Sequence, residues 1–167
     1  MNVLITVDSK HGSTMAIAET IAKTLRDRDH QVALRAPAEI ESIAEYDAFA
    51  LGSAVYAGRW RRSIRDFARR FAGEFAPRPV WLFSSGPVGS VPKPSDTPSD
   101  IATIADNTGA MEHRVFAGAL ERDRLNLGER AIVKLVRAPY GDYRYWDEIR
   151  SWARMIADDL TPVRDHN

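Results

Sequence analysis

The chain opens with a short apolar run, Val3-Leu4-Ile5-Thr6-Val7, that breaks into Ser9-Lys10-His11-Gly12-Ser13-Thr14. A helical spacing follows at Ile17, Ile21, Ala22 and Leu25. A buried strand that turns through a hydroxyl-rich loop into a helix is a cradle for phosphate. The first amides of a helix have no partner within it, and the helix dipole favours negative charge there. Ser and Thr hydroxyls add donors, and Gly12 lets the backbone approach closely. The plainer alternative is a capped turn, since Ser, Thr and Asp favour helix starts anyway. There is no G-x-x-x-x-G-K-[ST] and no G-x-G-x-x-G after the first strand, so neither a triphosphatase loop nor a dinucleotide fingerprint is present.

The rest of the chain alternates in the same way. Gln31–Arg35 reads as a second strand and Ala48–Leu51 as a third, ending in Gly52-Ser53-Ala54. Pro79–Phe83 reads as a fourth, ending in Ser84-Ser85-Gly86, and Val115–Leu120 as a fifth. Helices are expected from Thr14 to about Arg28, from Trp60 to Phe75, and from Trp146 to Leu160, with a shorter one over Ser99–Asp106. The second is placed by Trp60, Ile64, Phe67, Phe71 and Phe75 at helical spacing. Short, nearly continuous apolar strands separated by helices predict a doubly wound three-layer α/β domain around a five-stranded parallel sheet. Ligands of such folds sit beyond the carboxyl ends of the strands. Three small polar loops, Ser9–Thr14, Gly52–Tyr56 and Ser84–Gly89, fall there. All 167 residues are expected to form one domain.

Composition narrows the chemistry. The chain has no Cys, which excludes disulfides, thiolate-ligated zinc and the thiol-dependent phosphatases and arsenate reductases that use a comparable loop. The four His show no metal-ligand spacing, so no metal is expected; His30 and His166 read as solvated. Lys plus Arg and Asp plus Glu balance at 23 each, which argues against a nucleic-acid partner. The N-terminus carries no basic leader, and no apolar run approaches the roughly 18 residues of a membrane span. A cytoplasmic location is expected, with peripheral contact at the inner face of a membrane left open.

With the three loops in place, the sequence resembles the flavodoxin-like FMN proteins, and within them the branch of menaquinone-dependent protoporphyrinogen dehydrogenases. The resemblance rests on Ser9–Thr14, Leu51-Gly52-Ser53-Ala54-Val55-Tyr56, Trp81-Leu82-Phe83-Ser84-Ser85-Gly86 and His113–Leu120, with Trp146, Ile149 and Trp152 matching the last helix. It implies strand order 2-1-3-4-5 and FMN as cofactor. The phosphate would lie on Ser9, Lys10, His11, Gly12, Ser13 and Thr14. The ring would lie between Ser53, Ala54, Val55, Tyr56, Ala57 and Gly58 and the loop Ser84, Ser85, Gly86, Pro87, Val88 and Gly89. The implied activity is oxidation of a reduced small molecule, protoporphyrinogen IX, with a quinone as acceptor. The alternative is a flavodoxin-type electron carrier with a redox protein partner. A phosphoacceptor receiver on the same architecture would need a carboxylate where the third strand ends in Gly52-Ser53.

Several residues carry two readings. Tyr56 is a ring contact or an ordinary loop aromatic, and Trp60 a core residue or a stacking one. Gly58 is a pivot for a peptide flip at the flavin or a turn glycine. Lys10 lies near the phosphate or in solvent. Asp8 would repel a phosphate unless it turns outward or caps a backbone amide. Arg59, Arg61, Arg62, Arg65, Arg69 and Arg70 form a solvated face, or Arg59, Arg61 and Arg62, just after the second loop, receive an acidic substrate or an anionic membrane. Pro87 and Val88 leave one ring face uncovered, which suits a substrate that must reach the flavin. Asn126–Arg137, with Arg130, Lys134 and Arg137, is an amphipathic membrane-contacting helix or a helix packed on the sheet with a basic outer face. Gly141–Trp146 closes over the flavin or fixes the last helix.

Overall fold

The structure, a computed structural model, describes residues 1–86 and 94–161. In chain order the elements are β1 (Asn2–Asp8), α1 (Ser13–Arg26), β2 (Gln31–Arg35), β3 (Ala48–Tyr56), β4 (Arg59–Trp60), α2 (Arg62–Arg70) and β5 (Val80–Ser85). Then come α3 (Ile101–Thr108), β6 (Glu112–Phe116), β7 (Ala119–Leu120), α4 (Leu127–Val136), β8 (Gly141–Asp142) and α5 (Trp146–Leu160). The parallel sheet runs β2-β1-β3-β5-β6, with β4 folded back on β3. Counting the parallel strands alone, this is the expected order 2-1-3-4-5.

The strands are apolar on both sides because both faces are covered. Val3, Ile5 and Val7 of β1 point to a layer with Ile17, Ile21 and Leu25 of α1 and Ile149, Trp152 and Ile156 of α5. Leu4, Phe49, Leu51 and Leu82 point the other way, against Ile64 and Phe67 of α2 and Ile104 of α3. At about 25 cal/mol per Å² of apolar surface removed from water, two such layers dominate the stability. Gly52 is the tightest point of the sheet: a Cβ there would lie 2.1 Å from the Phe83 ring. Phe83 in turn packs edge-on against Trp152, with ring centroids 6.0 Å apart.

Three sequence expectations change. The helix expected from Trp60 spans only Arg62–Arg70, and Trp60 belongs to β4. Its side chain is buried in the same layer as Ile64 and Phe67, so the spacing signal was real but came from a hairpin strand. The fifth strand stops at Phe116 rather than Leu120, and Ala119–Leu120 pairs with Gly141–Asp142 in a separate ribbon. His30 is buried, not solvated, with Nδ1 3.4 Å from the N-terminal nitrogen.

Candidate functional site

Strand β1 delivers the first loop. Gly12 sits at φ 82°, a left-handed conformation that costs other residues about 1–2 kcal/mol. Its N–H donates to Ser9 Oγ at 3.1 Å, which closes the turn before α1. Gly12 gives α1 no side-chain cap, and the first amides of a helix have no partner within it. Thr14 is fully buried, and its Oγ1 has no partner among the described residues. A buried hydroxyl without a partner costs about 1–3 kcal/mol, and an anion on the loop would satisfy it.

The second loop is a hairpin tip. Strand β3 continues past the sheet to Tyr56, turns through Ala57 (φ 49°) and Gly58 (φ 71°), and returns as β4. Two residues at positive φ make the tight turn that suits strand twist. The Gly58 carbonyl accepts the Ser99 N–H at 2.9 Å, so Gly58 is a pinned turn residue here; a peptide flip would release that bond. Tyr56 is 43% exposed, and the Arg61 guanidinium lies over its ring, 5.5 Å from the centroid. Burial pushes the Tyr56 phenol up, and Arg61 opposes this. Asp8 does turn away from the phosphate loop: it accepts from Arg61 Nε at 2.7 Å and from Ser63 Oγ.

The third loop leaves β5 at Ser85-Gly86. Gly86 N–H donates to the Phe116 carbonyl at 2.9 Å, and a Cβ on Gly118 would come within 3.3 Å of Gly86 N. This close approach brings the end of β6 under the loop. Pro87, Val88 and Gly89 lie outside the described residues.

The three loops border one cleft of about 390 Å³. Of the residues expected at the site, Ser9, His11, Ser13, Thr14, Ala54, Val55, Tyr56, Gly58, Ser85 and Gly86 line it. Ser53 and Ser84 do not. Both are fully buried. Ser53 Oγ donates to the Ala54 carbonyl at 2.8 Å and accepts the Arg61 N–H at 2.9 Å. Ser84 Oγ accepts Trp60 Nε1–H at 2.7 Å and lies 2.7 Å from His113 Nε2. These two serines fasten the hairpin and β6 beneath the site. Lys10, Gly12 and Ala57 also stand off the cleft wall. Ser95, Asp96, Thr97, Gly118, Ala119 and Leu120 complete the lining and were not expected. The small run Ala117-Gly118-Ala119 at the end of an apolar strand was a usable signal for the last group.

Residues 121–140 leave the body as an excursion closed at its base by the β7·β8 ribbon. It grips the phosphate loop. Lys10 is not free in solvent but pairs with Glu129 of α4, and His11 Nε2 lies 3.3 Å from the same carboxylate. Lys10 holds the Glu129 carboxyl below the usual range. Arg124 donates to the His11 carbonyl at 2.9 Å. Arg144 donates to the Ser13 carbonyl at 3.3 Å and stacks over Trp146, 4.6 Å from the ring centroid. The Gly141–Trp146 cluster therefore fixes the base of the excursion to α1 and α5. The arginines around α2 are spent largely within the chain. Arg59 and Arg65 flank Asp100 at 3.7 and 3.6 Å, and Arg62 and Arg69 flank Asp66.

The flavodoxin domain family model matches residues 4–145. The chain belongs to the flavodoxin domain family. A search of the curated proteins finds no match. Among solved structures, oxidised flavodoxin 2 from Bacillus cereus superposes with a TM-score of 0.65 at 19% identity, covering 96% of this chain and 100% of that one. A flavodoxin from the domain Archaea gives 0.64 at 16%, covering 95% and 98%. A flavone reductase gives 0.63 at 10%, covering this whole chain and 65% of its own.

Membership of the flavodoxin domain family points to flavin-linked redox or electron-transfer work, and the site bears a fit test. FMN needs an anion cradle, a flat surface for its ring and backbone groups at the ring edge. The uncapped α1 mouth with the orphaned Thr14 hydroxyl meets the first need. The exposed Tyr56 ring meets the second, and the Gly86 and Gly118 backbone the third.

Proposed function

We propose that the chain binds FMN in this cleft and works as an FMN-dependent oxidoreductase, resembling protoporphyrinogen IX dehydrogenases with a quinone acceptor. Convergence of the α1 mouth, the Tyr56 hairpin and the β5 loop on one cleft supports the reading. Ser9, His11, Ser13 and Thr14 would hold the phosphate, with Gly12 turning the loop behind them. Tyr56, with the Arg61 guanidinium over its ring, would support the flavin ring. Bound FMN supplies hydride and electron exchange, and the chain sets its exposure and hydrogen bonding. Each cycle takes two hydrogens from the reduced substrate and gives two electrons and two protons to the quinone, forming the quinol.

A lipid-soluble quinone would bring the work to a membrane surface. Contact would be peripheral, because no helix among the described residues is long and apolar enough to cross a membrane. The balanced charge also supports an enzyme over a carrier, because a carrier that docks electrostatically benefits from strong net charge of one sign. The second reading, an electron-transfer protein, is favoured by the near-complete coverage of whole flavodoxins.

The deciding experiment adds FMN to the purified chain, removes the excess and records the visible spectrum. Retained flavin bands followed by quinone-dependent oxidation of protoporphyrinogen IX support the reading. Retained flavin without that oxidation, but with two resolved one-electron steps in a reductive titration, favours the carrier. Failure to retain flavin at any added FMN refutes both.

A further inference from the structure

Helix α4 is turned inside out. Its half-buried side is Glu129, Arg130 and Val133, and none of its residues is fully buried. Its outward arc is apolar: Leu127 is 83% exposed, Leu135 82%, Val136 62% and Ile132 61%. At 3.6 residues per turn, Leu127, Ala131 and Leu135 form one line and Ile132 and Val136 the next. The helix is nonetheless well started. Asn126 Oδ1 accepts the Glu129 N–H, and the Glu129 side chain accepts the Asn126 N–H, both at 2.9 Å. Its main ties to the body run from the Glu129 carboxylate to Lys10 and to His11 Nε2. A single bare apolar side chain needs no explanation, but a contiguous set on one helix marks an interaction face.

Charge says what covers that face. Arg122, Arg130, Lys134 and Arg137, with Leu127 and Tyr140, line a groove of about 560 Å³ along the helix, with no acidic residue among its described lining. Two of the nearby acids are already answered, Glu121 by Arg124 at 2.7 Å and Glu129 by Lys10. An apolar arc edged by unanswered cations is the pattern of a helix that lies in a lipid interface, its side chains in the acyl boundary and its cations at headgroup phosphates. A protein partner fits less well. A stable interface covers about 800 Å² per side, whereas a ten-residue helix is only about 15 Å long.

We infer that α4 is a docking element for an anionic phospholipid surface. The inference deepens the quinone-linked reading, on which its purpose, though not its geometry, rests. Because Glu129 also holds Lys10 and His11 of the first loop, docking through α4 would tether the loop that borders the cleft at the membrane surface.

The test mixes the full chain, supplied with FMN, with vesicles of phosphatidylcholine alone or with added phosphatidylglycerol, and sediments them at low salt. The anionic vesicles should bind the chain at least about tenfold better, and binding should fall as salt rises. Leu127→Ser with Leu135→Ser, and separately Lys134→Glu, should each weaken binding about tenfold while the circular dichroism stays that of the parent. Equal binding to both vesicles, no binding, or binding indifferent to both variants overturns the inference. A lipid-free dimer abolished by the double Leu variant does so too, in favour of a second copy. Flavin absorbance on the same samples separates the two readings. A flavin-free chain that sediments with vesicles defeats only the FMN proposal, and a flavin-loaded chain that stays in solution defeats only the docking.

Discussion

His113 should make the fold weaken as the pH drops below neutrality. Ser84 Oγ accepts the Trp60 indole N–H, so its own proton is free to point at His113 Nε2, 2.7 Å away. That bond needs an unprotonated Nε2, and hence a neutral imidazole with its proton on Nδ1. Burial lowers the His113 pKa from 6.5 to about 4, with Glu112 opposing. An unfolded chain takes up this proton near pH 6.5, and the folded chain not until about 4. Below 6.5 the unfolded state therefore binds more protons, and stability falls with pH, the loss completing near 4. Between pH 7.5 and 5 a fully buried His of this kind loses about 2 kcal/mol, and its partial exposure halves that to about 1 kcal/mol. With a urea slope of about 2 kcal/mol/M, the midpoint moves about 0.5 M. Other groups titrate in the same range, so the assay compares the parent with His113→Gln, which keeps an acceptor for Ser84 but cannot take the proton. Urea unfolding at both pH values should show a smaller acid loss in the variant by about 0.5 M. Equal losses in parent and variant would refute the assignment of the proton to His113.

The other predictions concern the sheet and the loops. Gly52→Ala should cost about 1–3 kcal/mol in thermal or urea unfolding, because its Cβ meets the Phe83 ring at 2.1 Å; Phe83→Leu in the same chain should recover part of it. Asp8→Ala and Arg61→Ala should couple in a double-mutant cycle by about 1 kcal/mol, the pair being partly buried at 2.7 Å; additive losses would mean that the contact contributes nothing. Gly12→Ala should lower both stability, by about 1 kcal/mol, and flavin retention, since Gly12 sits at φ 82° and a Cβ would lie 2.8 Å from the Arg124 guanidinium; unchanged flavin absorbance would remove Gly12 from the cradle.

What the amino-acid sequence shows plainly is whatever the backbone does locally. The switch from an apolar run to a helical period at Ser9–Ile17 places the first loop, and the parallel order follows from the alternation of elements. The errors have the same physical origin. Trp60 keeps helical spacing with Ile64 and Phe67, yet all three reach one core layer from two different elements, because Ala57-Gly58 turns the chain without a strong hairpin signal. Val115–Leu120 is a continuous apolar run, yet the ladder stops at Phe116, where Gly118 must pass against Gly86.

The side-chain meetings were out of reach for a different reason. Asp8 finds Arg61 across 53 positions and Lys10 finds Glu129 across 119. A chain with 23 acids and 23 bases offers hundreds of such pairs, and no local period selects among them. These contacts decide how the cradle is used. The carboxylate that threatened a phosphate is turned aside by Arg61, and the lysine that could have met the phosphate is held by α4. An anion held on this loop, as proposed, would rely on backbone amides and on Ser and Thr hydroxyls, whose donors do not titrate near neutral pH, while Lys10 stays with Glu129 of the exposed helix.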